Sequence, residues 1–429
     1  MSNSFREPAQ VIAIGITSRN YDIKCPADSG DVEGRQMLLD APIMAIFGGI
    51  ASLSYYLLWV QQEPVGTGQL FGAHCFPSKD GSPLPFRIPY TGYENLDIVL
   101  CLMVSFFVPA THDTPIWRYT LDLVGSLAVE LTPFLLDVSA LFRSNRVASV
   151  LFPLLLGLVY TFKGGAIVLP SYWLLSLIVL SVQRSAGIIP SLPDTVASQA
   201  AAFAVLSGYI LPSMVMEISP SPRNIAFWVC FPITIALAQV AYYVSATLGL
   251  APILLPPSLG KLSSYETIQL TYIALGVFST ITHVPLLCGI VFTRNPLAAA
   301  SNQLIPHMRV YSYAAKEEFW HHGLRNEVKR FLQWDHIMIA LTTWLAGSWS
   351  WAFSSVALAS RILIVSLLGS ILLGPGTVVA ATFIVREALY QQSREMLAGG
   401  SARALPTNTV DMVVGAVQGV LAGESRIIL

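Results

Sequence analysis

Apolar stretches about as long as a bilayer is thick follow one another along most of this chain. A helix that crosses the hydrocarbon core needs about 20 mostly apolar residues. The candidate spans lie at about 41–60, 97–110, 118–142, 147–162, 165–182, 198–218, 224–250, 267–293, 335–357 and 361–385. The second and fourth of these stretches are shorter than the rest. The pattern predicts nine or ten crossings.

The composition supports the same conclusion. Hydrophobic residues make up 54% of the 429 residues, and charged residues only 11%. A soluble globular domain carries about 25% charged residues, so this chain lacks the polar surface that water requires. Lipid in turn requires segments that satisfy their own backbone hydrogen bonds. We therefore predict an all-α fold, a polytopic bundle of transmembrane helices.

The predicted organisation has three parts. A polar N-terminal segment covers 1–40, a helical transmembrane domain covers 41–385, and a cytosolic tail covers 386–429. Two polar loops interrupt the helical domain. The loop 61–96 is rich in Gly, Pro and Ser, which is typical of a segment without a core of its own. The loop 294–334 carries six Lys and Arg residues before the span at 335.

Positive charges near the ends of the spans predict the topology, because Lys and Arg concentrate in cytoplasmic loops. The loop 294–334 is therefore expected in the cytosol. Arg386, Arg394 and Arg403 predict that the C-terminus lies there too, and counting spans backwards gives a cytosolic N-terminus. The short loop Arg143–Arg146 then falls on the opposite side, so either an early span is miscounted or this loop is an exception.

Net charge and cysteine placement exclude several other classes. The formal net charge is -1, which gives no electrostatic basis for binding nucleic acid. The cysteines are scattered without a CxxC pair, and three of them lie in apolar stretches. They are Cys25, Cys75, Cys101, Cys230 and Cys288. This spacing argues against a disulfide framework or a zinc site.

Three carboxyl groups occupy the otherwise apolar span 118–142. Asp122, Glu130 and Asp137 all fall on one side of the predicted helix, since Glu130 and Asp137 are about 20° apart and Asp122 is about 80° from Glu130. Ionisable groups inside the membrane are functional candidates by default. A carboxyl group away from water favours its protonated form and can act as an acid. The simpler interpretation places Asp122 and Asp137 at the two hydrated interfaces.

The span 335–357 opens with Trp334, Asp335 and His336 and continues with Trp344 and Trp349. Asp335 is a candidate acid at the mouth of this span. The tryptophans are candidate substrate-binding residues, because aromatic faces stabilise cations. The simpler interpretations are a helix-capping carboxylate, a tryptophan at the membrane interface and ordinary packing.

His283 lies deep in the span 267–293 and is a further candidate for substrate binding. A histidine hydrogen-bonded between helices is the simpler interpretation. The sequence contains no aspartate-rich DDxxD motif, no Walker A motif, no GxSxG and no HExxH. We therefore expect no metal and no cofactor. The missing aspartate-rich motif argues against metal-assisted ionisation of a prenyl diphosphate and leaves initiation by protonation open.

Three short motifs carry a resemblance to a known group of proteins. They are Gly208-Tyr209-Ile210-Leu211-Pro212, Ala226-Phe227-Trp228-Val229-Cys230-Phe231-Pro232 and Phe331-Leu332-Gln333-Trp334-Asp335. Over roughly residues 200–360 the chain resembles fungal integral-membrane proteins of secondary-metabolite gene clusters. This group includes the membrane-bound terpene cyclase of ascofuranone biosynthesis and membrane proteins of indole-diterpene and other meroterpenoid clusters.

The resemblance implies cyclisation of a prenyl chain, epoxide-terminated and attached to an aromatic or polyketide head. It also implies a lipophilic prenylated substrate, contact with membrane lipid, other enzymes of the same pathway as partners, and a location in the endoplasmic reticulum. Asp335 and Trp334 belong to the shared motif, but the motif does not identify the acid.

Two other functions remain open from the sequence. A transporter that exports a metabolite would use Glu130 to couple transport to protons, although no internal repeat of the kind seen in many transporters is visible. A membrane acyltransferase would use a buried histidine such as His283. The segment Phe319-Trp320-His321-His322 resembles the wax-synthase pattern only loosely.

Overall fold

The computed structural model describes residues 29–60, 72, 75–76, 86–185, 192–254, 259–304, 319–352 and 356–397. These residues form helices and connecting turns, with no β-strand among them, which confirms the predicted all-α polytopic bundle. The helices are α1 Ser29–Tyr55, α2 Glu94–His112, α3 Thr114–Leu141, α4 Arg146–Lys163, α5 Gly165–Ser185, α6 Thr195–Val205, α7 Leu211–Ile218, α8 Pro222–Val229, α9 Phe231–Thr247, α10 Ala251–Leu254, α11 Ser264–Val291, α12 Pro296–Leu304, α13 Phe319–Ala352, α14 Val356–Leu373 and α15 Pro375–Leu397.

Seven helical segments in the described part of the chain are long and apolar enough to cross a membrane. An eighth span results if α8 and α9 are taken together, although they meet at Cys230 with a bend of 61°. Turns of π-helix continue α1 through Tyr56–Val60 and join α6 to α7 through Leu206–Ile210. The segment 319–334 was predicted as part of a loop. In the structure it is helical and forms the first half of α13, which begins at Phe319.

Helix α3 forms the centre of the bundle. Every residue from Asp122 to Leu136 is buried, including Glu130. The Asp113 carboxylate caps its first turn by accepting a hydrogen bond from the Ile116 amide. Helices α6, α11, α13 and α15 pack around it. Because α3 is surrounded by protein on almost every side, its polar residues meet other helices and not lipid.

The last helices form an antiparallel pair, where the sequence predicted one span over 361–385. The chain reverses at Gly374, whose φ of +92° lies in the region that favours glycine. The Ile371 carbonyl at the end of α14 lies near His283, and α15 then runs alongside α3 from Gly376 to Arg386. The prediction of a single helix is wrong. Apolar residues continue through the reversal, so the hydrophobic pattern alone does not reveal the break between α14 and α15.

We name the two ends of the bundle after the residues at the two ends of α4. The start of α5 lies at the Gly164 end, and the end of α3 lies at the Arg146 end. Helix α13 starts at the Gly164 end, because Asp335 meets the start of α5 and Thr343 meets Trp173 further along it. Helix α15 finishes at the Arg146 end, where Arg386 pairs with Asp137 near the end of α3.

The sequence predicted that loop 294–334 and the C-terminal arginines lie on the same side of the membrane. This arrangement contradicts that prediction. Loop 294–334 leads into α13 at the Gly164 end, while Arg394 lies at the Arg146 end together with Arg143. The extra reversal at Gly374 accounts for the difference. The start of α1 also belongs to the Arg146 end, because the other end of its span contacts Lys163 through Trp59.

Two further differences from the sequence predictions are local. Cys75 and Cys101 form a disulfide, although the scattered spacing of the cysteines argued against a disulfide framework. The bond fixes the polar loop to α2 across 26 residues, a pairing that spacing alone did not reveal. Helix α15 also continues past 385, and Arg386 is buried inside the bundle. The predicted boundary of the tail therefore falls within a helix.

Candidate active site

A cavity of about 640 Å³ opens at the Gly164 end of the bundle. Pockets of a few hundred to about 1,000 Å³ hold small molecules in proteins. Its walls come from α1, α2, α3, α4, the α6–α9 region and α13. The aromatic lining residues are Tyr55, Trp59, Phe106, Phe107, Tyr160, Phe162, Tyr209, Trp228, Phe231 and Phe331. The lining also includes two carboxyl groups, Asp335 and Glu327. The cavity thus combines aromatic walls with acidic groups.

Asp335 is a buried wall residue of this cavity, with 6% of its surface exposed. Its Oδ1 atom accepts a hydrogen bond of 2.7 Å from the backbone amide of Ala166, in the first turn of α5. Gly164, which precedes that turn, also lines the cavity. The contact fixes the carboxyl group at a helix N-terminus, which attracts negative charge. Asp335 is therefore held in one place while it faces the cavity.

Glu130 lies in the middle of α3 and is fully buried. Among the residues that the structure describes, neither of its carboxylate oxygens has a hydrogen-bond partner. Tyr160, Tyr209 and Asp335 are near enough to interact with it electrostatically. Those three residues line the cavity, whereas Glu130 is not among its wall residues. Glu130 thus lies behind the cavity wall.

Asp122 belongs to a buried polar cluster that joins α3, α11 and α13. Its Oδ1 atom lies 3.0 Å from Nδ1 of His283, and its Oδ2 atom lies 3.9 Å from Nδ1 of His336. The other ring nitrogen of His283 lies 3.0 Å from the Ile371 carbonyl oxygen. Among the described residues, no group of three or more His, Cys, Asp or Glu side chains is arranged to hold a metal ion. The expected helix-to-helix hydrogen bonding of His283 is present.

Asp137 pairs with Arg386 at the Arg146 end, far from the cavity. Two guanidinium nitrogens of Arg386 donate to its two oxygens, at 2.8 and 3.1 Å. Arg386 also bonds Glu387 and lies over the ring of Phe383, 4.3 Å from its centroid. The three carboxyls of α3 thus have three different environments.

The tryptophans predicted to bind substrate lie outside the cavity wall. The Trp344 indole donates to Ser366 on α14, and Trp349 packs against the main core. Trp334 packs beside Leu57 and Leu58 of the first span. His283 is likewise not a lining residue. Of the predicted site residues, only Asp335 lines the cavity directly.

Comparison with known proteins assigns the family. The family model described as the CtvD domain matches residues 43–390. The chain belongs to the CtvD domain family. Terpene cyclase ascI of Acremonium egyptiacum is 24% identical over 276 residues, which cover 60% of this chain and 67% of that protein. No solved structure matches the chain. The protein is thus a multi-pass membrane protein related to a terpene cyclase.

The CtvD domain contains the whole cavity, from Tyr55 to Asp335. The three motifs on which the sequence resemblance rests meet there. Tyr209 comes from the first motif, Trp228 and Phe231 from the second, and Asp335 from the third. Residues separated by more than 120 positions thus form one wall.

Several lining residues were not predicted from the sequence. Glu327 belongs to the segment predicted as a basic loop, and Tyr160 lies in a short apolar stretch. Trp59 ends the first span, where its indole donates to the Lys163 carbonyl and the Lys163 ammonium lies over its ring. Tryptophan and lysine at a span end are typical of a membrane interface. That signal was present for Trp59, but nothing local distinguishes Glu327.

Proposed function

We propose that this protein is a membrane-bound terpene cyclase of fungal meroterpenoid metabolism that starts ring closure by protonating its substrate. The observation that carries this proposal is the Asp335 carboxyl group in an aromatic-walled cavity. The proposed substrate is a lipophilic prenyl chain, epoxide-terminated and attached to an aromatic or polyketide head. Such a molecule reaches the cavity from the membrane.

Asp335 is the proposed acid. Its proton passes to the epoxide oxygen, the carbon–oxygen bond breaks as an alkene of the chain forms a carbon–carbon bond, and the positive charge moves to the next carbon. Loss of a proton to a base ends the sequence, so the product is an isomer of the substrate. The Ala166 amide stabilises the carboxylate that remains on Asp335 after proton donation.

The aromatic wall suits the cationic intermediates of this reaction. Tyr160, Tyr209, Trp228 and Phe231 line the cavity. An aromatic face attracts a cation through its quadrupole, by about 0.5 to 2 kcal/mol depending on desolvation. Few polar groups line the cavity, so water has little access to capture the cation.

The other carboxyl groups have different proposed roles. Glu130 is the second candidate acid, because it is buried and its carboxyl oxygens have no hydrogen-bond partner within the described part of the chain. Asp122 and Asp137 are each held by a cationic or hydrogen-bonding partner on another helix. For these two we propose a role in holding the helices together.

The test is conversion of an epoxyfarnesylated phenol in microsomes that contain the protein. The expected result is a cyclised isomer of unchanged mass, formed by the wild type and by Asp194→Asn. Asp194 pairs with Arg146 at the opposite end of the bundle, so this variant is a matched control. Asp335→Asn keeps an oxygen that can accept the hydrogen bond from the Ala166 amide, but it has no acidic proton to donate. This variant should lose activity by at least about 100-fold. Full activity in both Asp335→Asn and Glu130→Gln would remove both proposed acids.

The same assay separates the alternative functions. A transporter would leave the epoxide unchanged and move it across the vesicle membrane. An acyltransferase would add the mass of an acyl group when an acyl-CoA is supplied. Both ring nitrogens of His283 are engaged by Asp122 and Ile371, which disfavours His283 as the base of such an enzyme.

We also propose residence in the endoplasmic reticulum with both termini in the cytosol. The start of α1 and the end of α15 lie at the same end of the bundle, the Arg146 end. The Cys75–Cys101 disulfide adjoins Leu102, a cavity residue. Disulfides persist in the oxidising lumen, which favours the lumen for the cavity side.

A further inference from the structure

A second carboxyl group lines the cavity on the same helix as Asp335. Glu327 lies eight residues before Asp335 on α13, and only 3% of its surface is exposed. Eight residues of α-helix span about 12 Å and place the two side chains about 80° apart, on one side of the helix. Leu332 and Phe331, which lie between them, are apolar cavity residues. The cavity wall thus has two acidic points separated by an apolar stretch.

Glu327 forms an ion pair with Arg330, with Oε2 2.8 Å from a guanidinium nitrogen. Arg330 is buried as well, with 7% of its surface exposed. A buried carboxylate is costly unless charged and hydrogen-bonding groups surround it. A carboxylate accepts hydrogen bonds at about four positions, so an ion pair and a donor in the cavity can be accommodated together.

The position of Glu327 suits the polar part of an amphiphile. It lies on the N-terminal side of Asp335 on α13, toward the Gly164 end, where Trp59 and Lys163 mark the membrane interface. A prenylated phenol in a bilayer keeps its hydroxyl group at the interface and its chain in the apolar region. A carboxylate accepts a hydrogen bond from a neutral hydroxyl group, but it repels a diphosphate or carboxylate head.

We infer that Glu327, held by Arg330, accepts a hydrogen bond from the hydroxyl group of the substrate's head and so selects neutral hydroxylated prenyl compounds. This inference rests on the proposed cyclase function, since it names the substrate class of the same cavity. The contact places the head about 12 Å along α13 from the acid and sets which part of the chain reaches Asp335. Glu327 is a specificity-determining residue in this scheme.

The experiment measures binding, so that it does not depend on turnover. A farnesylated phenol without an epoxide and its methyl ether are titrated against the purified protein in lipid nanodiscs, with tryptophan fluorescence as the signal. Trp59 and Trp228 lie in the cavity wall and report occupancy. The wild type should bind the phenol about 10-fold or more tightly than the ether, as expected for a hydrogen bond to a charged group.

The variant Glu327→Leu/Arg330→Leu removes both charges of the buried ion pair together, so that neither loses its opposite charge alone. It should bind both compounds with nearly equal affinity. The control Asp194→Leu/Arg146→Leu removes an ion pair at the opposite end and should keep the preference. Equal affinities in the wild type, or an unchanged preference in the Glu327 variant, would overturn the inference. Selective binding without any cyclised product in the separate epoxide assay would instead contradict the proposed function alone.

Discussion

The Oδ1 atom of Asp122 lies 3.0 Å from Nδ1 of His283 and joins the central helix α3 to α11. Nε2 of His283 lies 3.0 Å from the carbonyl oxygen of Ile371. Each nitrogen of the buried imidazole therefore lies within hydrogen-bonding distance of an oxygen atom on another helix. The His283 ring thus ties α3, α11 and α14 together at one buried point.

Removing either partner should destabilise the protein. Asp122→Ala or His283→Ala leaves a buried polar group without its partner, which costs about 3 to 5 kcal/mol. We expect a clear fall in the apparent Tm of each variant in detergent. The double variant should cost less than the sum of the two, because the second change removes the group that the first left unpaired. Strictly additive losses would show that the two side chains do not interact in the folded protein.

The sequence predicted membrane insertion and the acidic α3 because these depend on local composition. Its carboxyls Asp122 and Glu130 are unusual for any lipid-spanning segment. Their partners were not predictable, since His283 is 161 residues from Asp122 along the chain. The site was predicted least well at Glu327, whose polar neighbours indicated a loop. The reversal at Gly374 was missed because apolar residues flank it on both sides.

Gly208 in the first of the three motifs permits a close approach of two helices. A Cβ atom there would lie 2.6 Å from the Ile235 Cα atom and 2.7 Å from its amide nitrogen. Backbone cannot move aside cheaply, so Gly208→Ala should destabilise the fold by about 1 to 3 kcal/mol or more. Gly48→Ala is the matched control, since no described residue has an atom within 4 Å of its added Cβ. Thermal unfolding in detergent compares the two, and equal Tm values would contradict the packing.

The placement of α12 and the end of α15 at opposite ends of the bundle is open to direct measurement. One glycosylation-acceptor tag is placed in loop 294–334 and another after residue 429. In microsomes, one of the two tags should be glycosylated and the other should not. A tag between Arg143 and Arg146 should behave like the C-terminal one, because Arg143 lies beside Arg394 at the same end of the bundle. Matching modification of the loop and the C-terminus would contradict the antiparallel pairing of α14 and α15.

Trp228 and Trp344 offer a comparison between a tryptophan that lines the cavity and one that does not. The Trp228 indole donates to Ser213, and its ring stands edge-on to Phe107, another cavity residue. The Trp344 indole donates to Ser366 in a helix contact away from the cavity. Changing either tryptophan to leucine therefore removes one indole hydrogen bond. The change at Trp228 also removes an aromatic face from the cavity wall.

Trp228→Leu should lower the kcat of cyclisation by about 2- to 30-fold, which corresponds to the roughly 0.5 to 2 kcal/mol that an aromatic face contributes to a desolvated cation. Trp344→Leu should leave kcat close to that of the wild type once both variants are matched for folded protein. The measurement is the initial rate of isomer formation at saturating substrate. If Trp344→Leu lowered kcat and Trp228→Leu did not, the cationic intermediates would have to form elsewhere in the bundle, beside the late tryptophans of α13.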